Sequence, residues 1–368
     1  MQGDGSIGSA IWDAATRIPT PAQRNIFTIS SGTGRTFTNC NVSLNAAQKL
    51  ALDTNAIGVV DNKCTDRLNW LRGDTSKEVR FTPGGTFRNR LTTVLGDIIN
   101  SDPAFSFNED YGYGGLPAGT PGQSSYAAYL TSKASRTPAL FVGANDGMLH
   151  AFRADVDSIN GGKELFAFIP DGVYANLSKL TDPAYTHKFY VDGAPTVGDA
   201  YLSGSWKTIL LGGLGAGGKS IYALDIGNAA GFAASDVLWE FSDATDLGRT
   251  YSQPQIARTN DTLNPWVAIF GNGYNSTSDK SFLFIVNLQT GALIKKIPTG
   301  NATANGLSSV VLYDANNDMA VDAVYAGDLL GNLWEFDLTS TSASAWQLAN
   351  SGDPLFTARS SLNEVQPI

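Results

Sequence analysis

Four segments of the chain repeat one pattern: an apolar run that stops at glycine, a polar or Gly-rich turn, then a second run alternating bulky with small or polar residues. The first runs are Ala139-Leu-Phe-Val, Ile209-Leu-Leu, Val267-Ala-Ile-Phe and Ala323-Val-Tyr-Ala, ending at Gly143, Gly212, Gly271 and Gly327. The second runs align by type as Leu149-His150-Ala151-Phe152, Ile221-Tyr222-Ala223-Leu224, Leu283-Phe284-Ile285-Val286 and Leu333-Trp334-Glu335-Phe336. Asp225, Asn287 and Asp337 follow the last three at the same place. Side chains alternate faces along a strand, so His150, Tyr222, Phe284 and Trp334 should point one way, into a seam between neighbouring units. The glycines recur 56 to 69 positions apart, which fits a four-stranded blade of about 40 to 50 residues with long surface loops. Each twisted sheet would leave apolar faces that radial stacking covers. The expected architecture is therefore all-β, a β-propeller, with a sandwich as the alternative.

Up to about Lys133 the texture is different. Helical signals fall at Leu44–Leu52, Arg67–Leu71, Phe87–Ile99 and Ser124–Thr131, and strands take over after Pro138. The expected division is a loop- and helix-containing N-terminal extension at 1–135 that packs on propeller blades at 136–368. Four units are too few for the wide ring that such loops imply, so the chain is expected to be a fragment lacking the last blades.

Charged residues make up 16% of the chain, against about 25% on average, a mixture that suits short strands and many turns. The net charge of -9 reflects scarce Lys and Arg, so no nucleic-acid partner is expected. There is no apolar run of about 18 residues, and Met1 to Ala10 lack the basic and apolar halves of a signal peptide; the chain reads as soluble. Cys40 and Cys64 lie in a polar, loop-rich stretch, where either a bridge or two free thiols is compatible with the sequence.

The sharpest candidate site reads Asp314-Ala-Asn316-Asn-Asp318-Met-Ala320-Val-Asp322. Oxygen-bearing side chains at positions one, three, five and nine of a tight loop suit Ca²⁺, which takes six to eight oxygen ligands. Ala320, at position seven, would supply its backbone carbonyl, and Asp322 a carboxylate directly or through water. The loop departs from an EF-hand in having Met319 at the sixth place where Gly is usual, Tyr325 where a bidentate Glu would stand, and strands on both sides. The competing reading is an Asx-rich turn between two strands.

Three other motifs carry weaker signals. Gly213 to Ser220 matches GxxxxGK[ST], but phosphate binding needs a helix beginning at Lys219. Ile221 to Ile226 alternates like a strand instead, so a Gly-rich hairpin connection is expected and no nucleotide. His150 falls on the seam position and reads as a packed core residue, with no catalytic set around it. Arg72-Gly73-Asp74 matches the tripeptide read by integrins, yet it directly follows Trp70-Leu71 near a helix end, where Gly is a natural stop.

Taken together, Trp70-Leu-Arg-Gly-Asp74, Leu95-Gly-Asp-Ile-Ile-Asn-Ser-Asp-Pro103, Phe141-Val-Gly-Ala-Asn-Asp-Gly-Met-Leu-His-Ala-Phe152 and Phe189-Tyr-Val-Asp-Gly-Ala-Pro-Thr-Val-Gly-Asp199 resemble the C-terminal domain of PilY-type proteins. These are tip-associated biogenesis factors and adhesins of type IV pili. Trp206 to Asp225 and Tyr313 to Leu338 continue the likeness, which runs from about residue 60 onward. The resemblance implies a modified, quinoprotein-like propeller whose EF-hand-like loop binds calcium through Asp314, Asn316, Asp318, the Ala320 carbonyl and Asp322. It further implies a non-catalytic protein at the cell surface or pilus tip, exported through the periplasm and outer membrane. Its implied partners are minor pilins or the pilus tip, and a host or abiotic surface, and calcium there is tied to pilus extension and retraction, twitching and attachment. The rival reading is a quinoprotein dehydrogenase, whose repeat Asn287-Leu-Gln-Thr-Gly-Ala-Leu293 resembles. Against it stand the lack of the adjacent-cysteine pair that many such enzymes place over the quinone, and a candidate calcium loop made of consecutive residues.

Overall fold

A computed structural model describes residues 8–81, 83–300, 303–360 and 362–368; residues 1–7, part of the stretch read above for a signal peptide, lie outside them. Each repeat forms an antiparallel hairpin inside its own sheet. Before them come β1 (Ile26–Ser30) and β2 (Thr33–Thr36), joined through Ser31 and Gly32. Blade one comprises β3 (Ala104–Ser106), β4 (Ala139–Ala144), β5 (Met148–Arg153) and β6 (Glu164–Ile169). Blade two comprises β7 (Thr196–Leu202), β8 (Ser205–Gly213), β9 (Ile221–Asp225) and β10 (Val237–Phe241). Blade three runs β11 (Gln255–Arg258), β12 (Trp266–Gly271), β13 (Phe282–Asn287) and β14 (Leu293–Pro298). Blade four runs β15 (Leu307–Tyr313), β16 (Ala323–Asp328), β17 (Asn332–Asp337) and β18 (Gln347–Leu348), with β19 (Phe356–Thr357) also on β17.

The seam positions fall in one register. His150 pairs with Val142, Tyr222 with Gly212, Phe284 with Phe270 and Trp334 with Ala326. Three of them face the preceding blade. Tyr222 lies 5.2 Å from Phe168 of blade one, Phe284 lies 5.7 Å from Phe241 of blade two, and Trp334 shares a core with Val267 and Ile269 of blade three. Alternation then turns Ile221 and Ala223, and likewise Leu283 and Ile285, toward the next blade, so apolar cores run along the seams. The glycines that end the first strands permit this closeness. A Cβ on Gly143 would come within 2.3 Å of the Val191 carbonyl oxygen, and one on Gly271 within 2.2 Å of that of Ser308.

Helices α1 (Ala46–Asp53), α2 (Cys64–Leu71) and α3 (Tyr126–Lys133) form where three of the four signals lie. Asn45 and Gln48 close a reciprocal cap on α1, satisfying amides that a helix start leaves free. The fourth signal, Phe87–Ile99, is not a helix. Its polar groups are taken by distant partners: Arg88 Nε donates to the Leu180 carbonyl, Arg90 Nη1 to that of Trp70, and the Gly96 amide to Asp146. The β-branched run Thr92-Thr93-Val94 also disfavours a helix. Strands appear earlier than the sequence texture indicates, because blade one already takes β3 and its sheet is extended by β1 and β2, β1 lying parallel to β6. All five residues of β1 are buried, so it lacks the alternation that marks a half-covered strand.

Cys40 and Cys64 form a disulfide with Cα atoms 6.2 Å apart. Gln48 Nε2 donates to the Ile29 carbonyl and to Asp171, tying α1 to β1 and to the loop after β6. Helix α3 docks on blade two through an ion pair with neither side chain exposed, Lys133 Nζ to Asp199 Oδ2 at 2.9 Å. The Tyr126 and Thr208 hydroxyls donate to the same carboxylate, at 2.9 and 2.7 Å.

Candidate metal centre

The loop Asp314–Asp322 joins β15 to β16, whose ends pair at Tyr313 and Ala323. Strands therefore fix both ends of the candidate ligand run. Inside it, Asp314 folds the chain around its own carboxylate: Oδ1 accepts the amides of Asn317 and Asp318, and Oδ2 accepts that of Met319 at 2.7 Å. Asn316 Oδ1 accepts the Asp318 amide at 2.9 Å, and Asp318 Oδ1 accepts the Ala320 amide at 2.8 Å. Asp322 Oδ2 reaches back to the Ala315 amide at 2.9 Å. Asn317 and Met319 adopt left-handed backbone, with φ of 61° and 65°. Met319 thus takes at position six a conformation that glycine adopts most easily.

Two residues outside the run hold it from blade three. Arg258 Nη1 donates to the Asp318 carbonyl at 3.2 Å, and Asn260 Nδ2 to Asp322 Oδ1 at 3.0 Å. The Val321 amide adds a backbone bond to the Arg258 carbonyl. Neither Arg258 nor Asn260 is visible as a partner in the sequence, because each lies about 60 residues upstream and belongs to no shared motif.

The donors are all oxygen, the kind a hard divalent cation selects, and they follow one another at loop spacing. The residues fit Ca²⁺ in kind and order. Convergence is not preformed: among the described residues no three His, Cys, Asp or Glu side chains are gathered as a ready-made cation site. Tyr325, at the place of the usual bidentate Glu, donates its hydroxyl to Glu335 on the neighbouring strand and contributes no carboxylate.

The other sequence candidates resolve differently. Gly213 to Ser220 is a hairpin connection: β8 ends at Gly213, a single 3₁₀ turn spans Gly215–Gly217, and β9 starts at Ile221. No helix begins at Lys219, whose ammonium donates to the Asn275 carbonyl. Arg72 is buried, donating to the carbonyls of Phe37, Pro21 and Arg24, so Arg72-Gly73-Asp74 is a structural helix end. His150 is buried on the seam, as expected, but as a charged group. Burial would depress its pKa, yet Asp146 and Glu164, 3.1 and 2.8 Å from its two nitrogens, push it up to about 9. Glu164 is held at about 2 despite its burial, by His150 and Arg24. This cluster pins residue 24 to blade one.

Fold and loop together define a β-propeller carrying an acidic, oxygen-donor hairpin loop. Comparison with known proteins supplies the family. The model for the PilY1 beta-propeller domain matches residues 95–367, and the chain belongs to that family. It is 38% identical to a type IV pilus biogenesis factor PilY1 homolog of Xylella fastidiosa, across 100% of this chain and 28% of that protein. It is 39% identical to the type IV pilus biogenesis factor PilY1 of Pseudomonas aeruginosa strain PAK, across 94% of this chain and 30% of that protein. The chain thus spans about a third or less of these relatives. The crystal structure of the Pseudomonas aeruginosa PilY1 C-terminal domain matches with a TM-score of 0.57 and 38% identity, over 68% of this chain and 52% of that one.

Proposed function

We propose that this chain is the calcium-binding propeller portion of a type IV pilus biogenesis factor, a non-catalytic element acting at the cell surface or pilus tip. Membership of the PilY1 beta-propeller family supports the pilus assignment. The observation that carries the calcium reading is the Asp314–Asp322 hairpin, with donors at one, three, five, seven and nine and left-handed backbone at its sixth residue. Asp314, Asn316, Asp318, the Ala320 carbonyl and Asp322 are the ligands. A bound Ca²⁺ supplies two positive charges to offset three carboxylates. The chain's own part is to present those oxygens between two blade strands and to brace them from Arg258 and Asn260.

On this reading the full-length protein engages minor pilins or the pilus tip, contacts a host or abiotic surface, and ties calcium to pilus extension, retraction and twitching. Isothermal titration tests the site: Asp318→Ala removes a charged ligand and is expected to abolish saturable Ca²⁺ binding, whereas unchanged binding in the folded variant rejects the assignment. The same substitution in the full-length protein is expected to change surface piliation or twitching while secretion persists. Normal motility across several calcium levels would leave calcium as a structural staple in an adhesin. The bracing by Arg258 and Asn260 favours that second reading in part.

A further inference from the structure

Met319 has the wrong side chain for its backbone. Left-handed φ costs an L-residue on the order of 1 kcal/mol or more, a cost glycine avoids. Its thioether, however, reaches across to the N-terminal extension. A Cβ on Gly112 would lie 3.4 Å from Met319 Cε, and one on Gly115 would lie 3.9 Å from Met319 Sδ. Gly112 caps the 3₁₀ turn Tyr113–Gly115, and Gly115 ends it. Met319 packs there against a core that includes Leu116, Tyr126, Trp206 and Trp266. Tyr113 sits among the same rings, 5.3 Å from Trp206 and 5.0 Å from Trp266.

Two contiguous supports lead from that turn into the body of the molecule. The Tyr111 amide donates to the Tyr126 hydroxyl, which donates to Asp199, the partner of Lys133. On the other side the Met319 amide is bonded to the first candidate ligand, Asp314. One residue therefore has its backbone in the ligand loop and its side chain in the extension.

We propose that Met319 is the positioning residue of the calcium loop, and that through it cation binding at Asp314–Asp322 and packing of the 109–117 turn form one coupled equilibrium. This rests on the calcium reading above. Drawing the carboxylates together moves the Asp314–Met319 bond, and the thioether carries that movement to the Gly112–Gly115 turn. Ca²⁺ then tightens a segment it does not touch, and loosening of that segment weakens Ca²⁺ by the same factor.

Hydrogen exchange of the whole chain, with and without Ca²⁺, reads both ends at once. In the unaltered protein, peptides covering 314–322 and 109–117 are both expected to gain protection. In Met319→Ala the first gain persists while the second is lost, and the dissociation constant rises about tenfold. Met319→Leu keeps an apolar anchor and is expected to restore coupling. Met319→Gly relieves the backbone without restoring the anchor and is expected to stay uncoupled. Protection of 109–117 that survives in Met319→Ala or Met319→Gly overturns the proposal. So does a protein whose 314–322 peptide gains protection alone. Absence of any Ca²⁺-dependent protection at 314–322 instead refutes the calcium reading itself, and the coupling with it.

Discussion

Replacing Lys133 by Met tests what fastens the N-terminal extension to the propeller. Lys133 and Asp199 are both fully buried. The ammonium also donates to the Glu109 carbonyl at 2.6 Å and lies 5.0 Å from the centre of the Tyr111 ring. Met keeps the stem and deletes the charge, leaving Asp199 with the Tyr126 and Thr208 hydroxyls but no cation. An unpaired buried charge costs about 3–5 kcal/mol, so Lys133→Met should lower the unfolding free energy by that amount. Asp199→Asn should cost a similar amount by stranding the ammonium. The double variant strands neither charge, and should cost less than the two singles together by at least about 2 kcal/mol. Urea denaturation followed by circular dichroism checks this, with the shift appearing in the midpoint at constant slope. Singles that each cost under about 1 kcal/mol, or a double equal to their sum, would refute the claim that this pair is a desolvated, mutually dependent fastening.

Glu240 gives a pH test. It lies partly exposed beside a cavity of about 380 Å³ lined also by Asp171, Lys219 and Arg249. Burial pushes its pKa up to about 7, against the hydrogen bonds it accepts from Ser220, Gly172 and Asp171. The folded state therefore holds a proton that the unfolded chain releases near 4.5. Its contribution is intact below that pH and is lost as pH rises through 7, on the order of 2 kcal/mol after allowance for partial exposure. Glu240→Gln should flatten the stability profile between about pH 4.5 and 7, and an unchanged slope there would contradict the assignment. Reduction of the Cys40–Cys64 bridge, whose partners are 24 residues apart, should destabilise the chain by about 3 kcal/mol. Melting curves with and without a reductant measure it, with a double Cys→Ser variant as control.

Sequence alone settled what depends on short-range pattern. Hairpin strands and their seam residues His150, Tyr222, Phe284 and Trp334 were legible because alternation is a property of consecutive residues. So were three helices, the non-helical Gly213–Ser220 connection, and the order of oxygen donors from Asp314 to Asp322. What failed locally failed for a tertiary reason. Phe87–Ile99 carries apolar spacing, yet Arg88, Arg90 and Gly96 bond to residues far away in the chain, and those bonds hold it out of a helix. β1 is covered on both faces and shows no alternation. His150 was placed correctly but not recognised as charged, because Asp146 and Glu164 close on its two ring nitrogens only once the hairpin and the next strand are folded together.

The tertiary structure alone decided how the loop is held. Arg258 and Asn260 come from another blade, and Met319 finds its packing in a turn about two hundred residues upstream. The choice between a bridge and two thiols at Cys40 and Cys64, and the burial of Lys133 against Asp199, likewise wait on the fold. The order of the oxygen donors is written along a strand–loop–strand, where neighbours in sequence are neighbours in space. The bracing of that loop and the charge state of buried groups depend on residues brought together by stacked blades, and no local spacing records them.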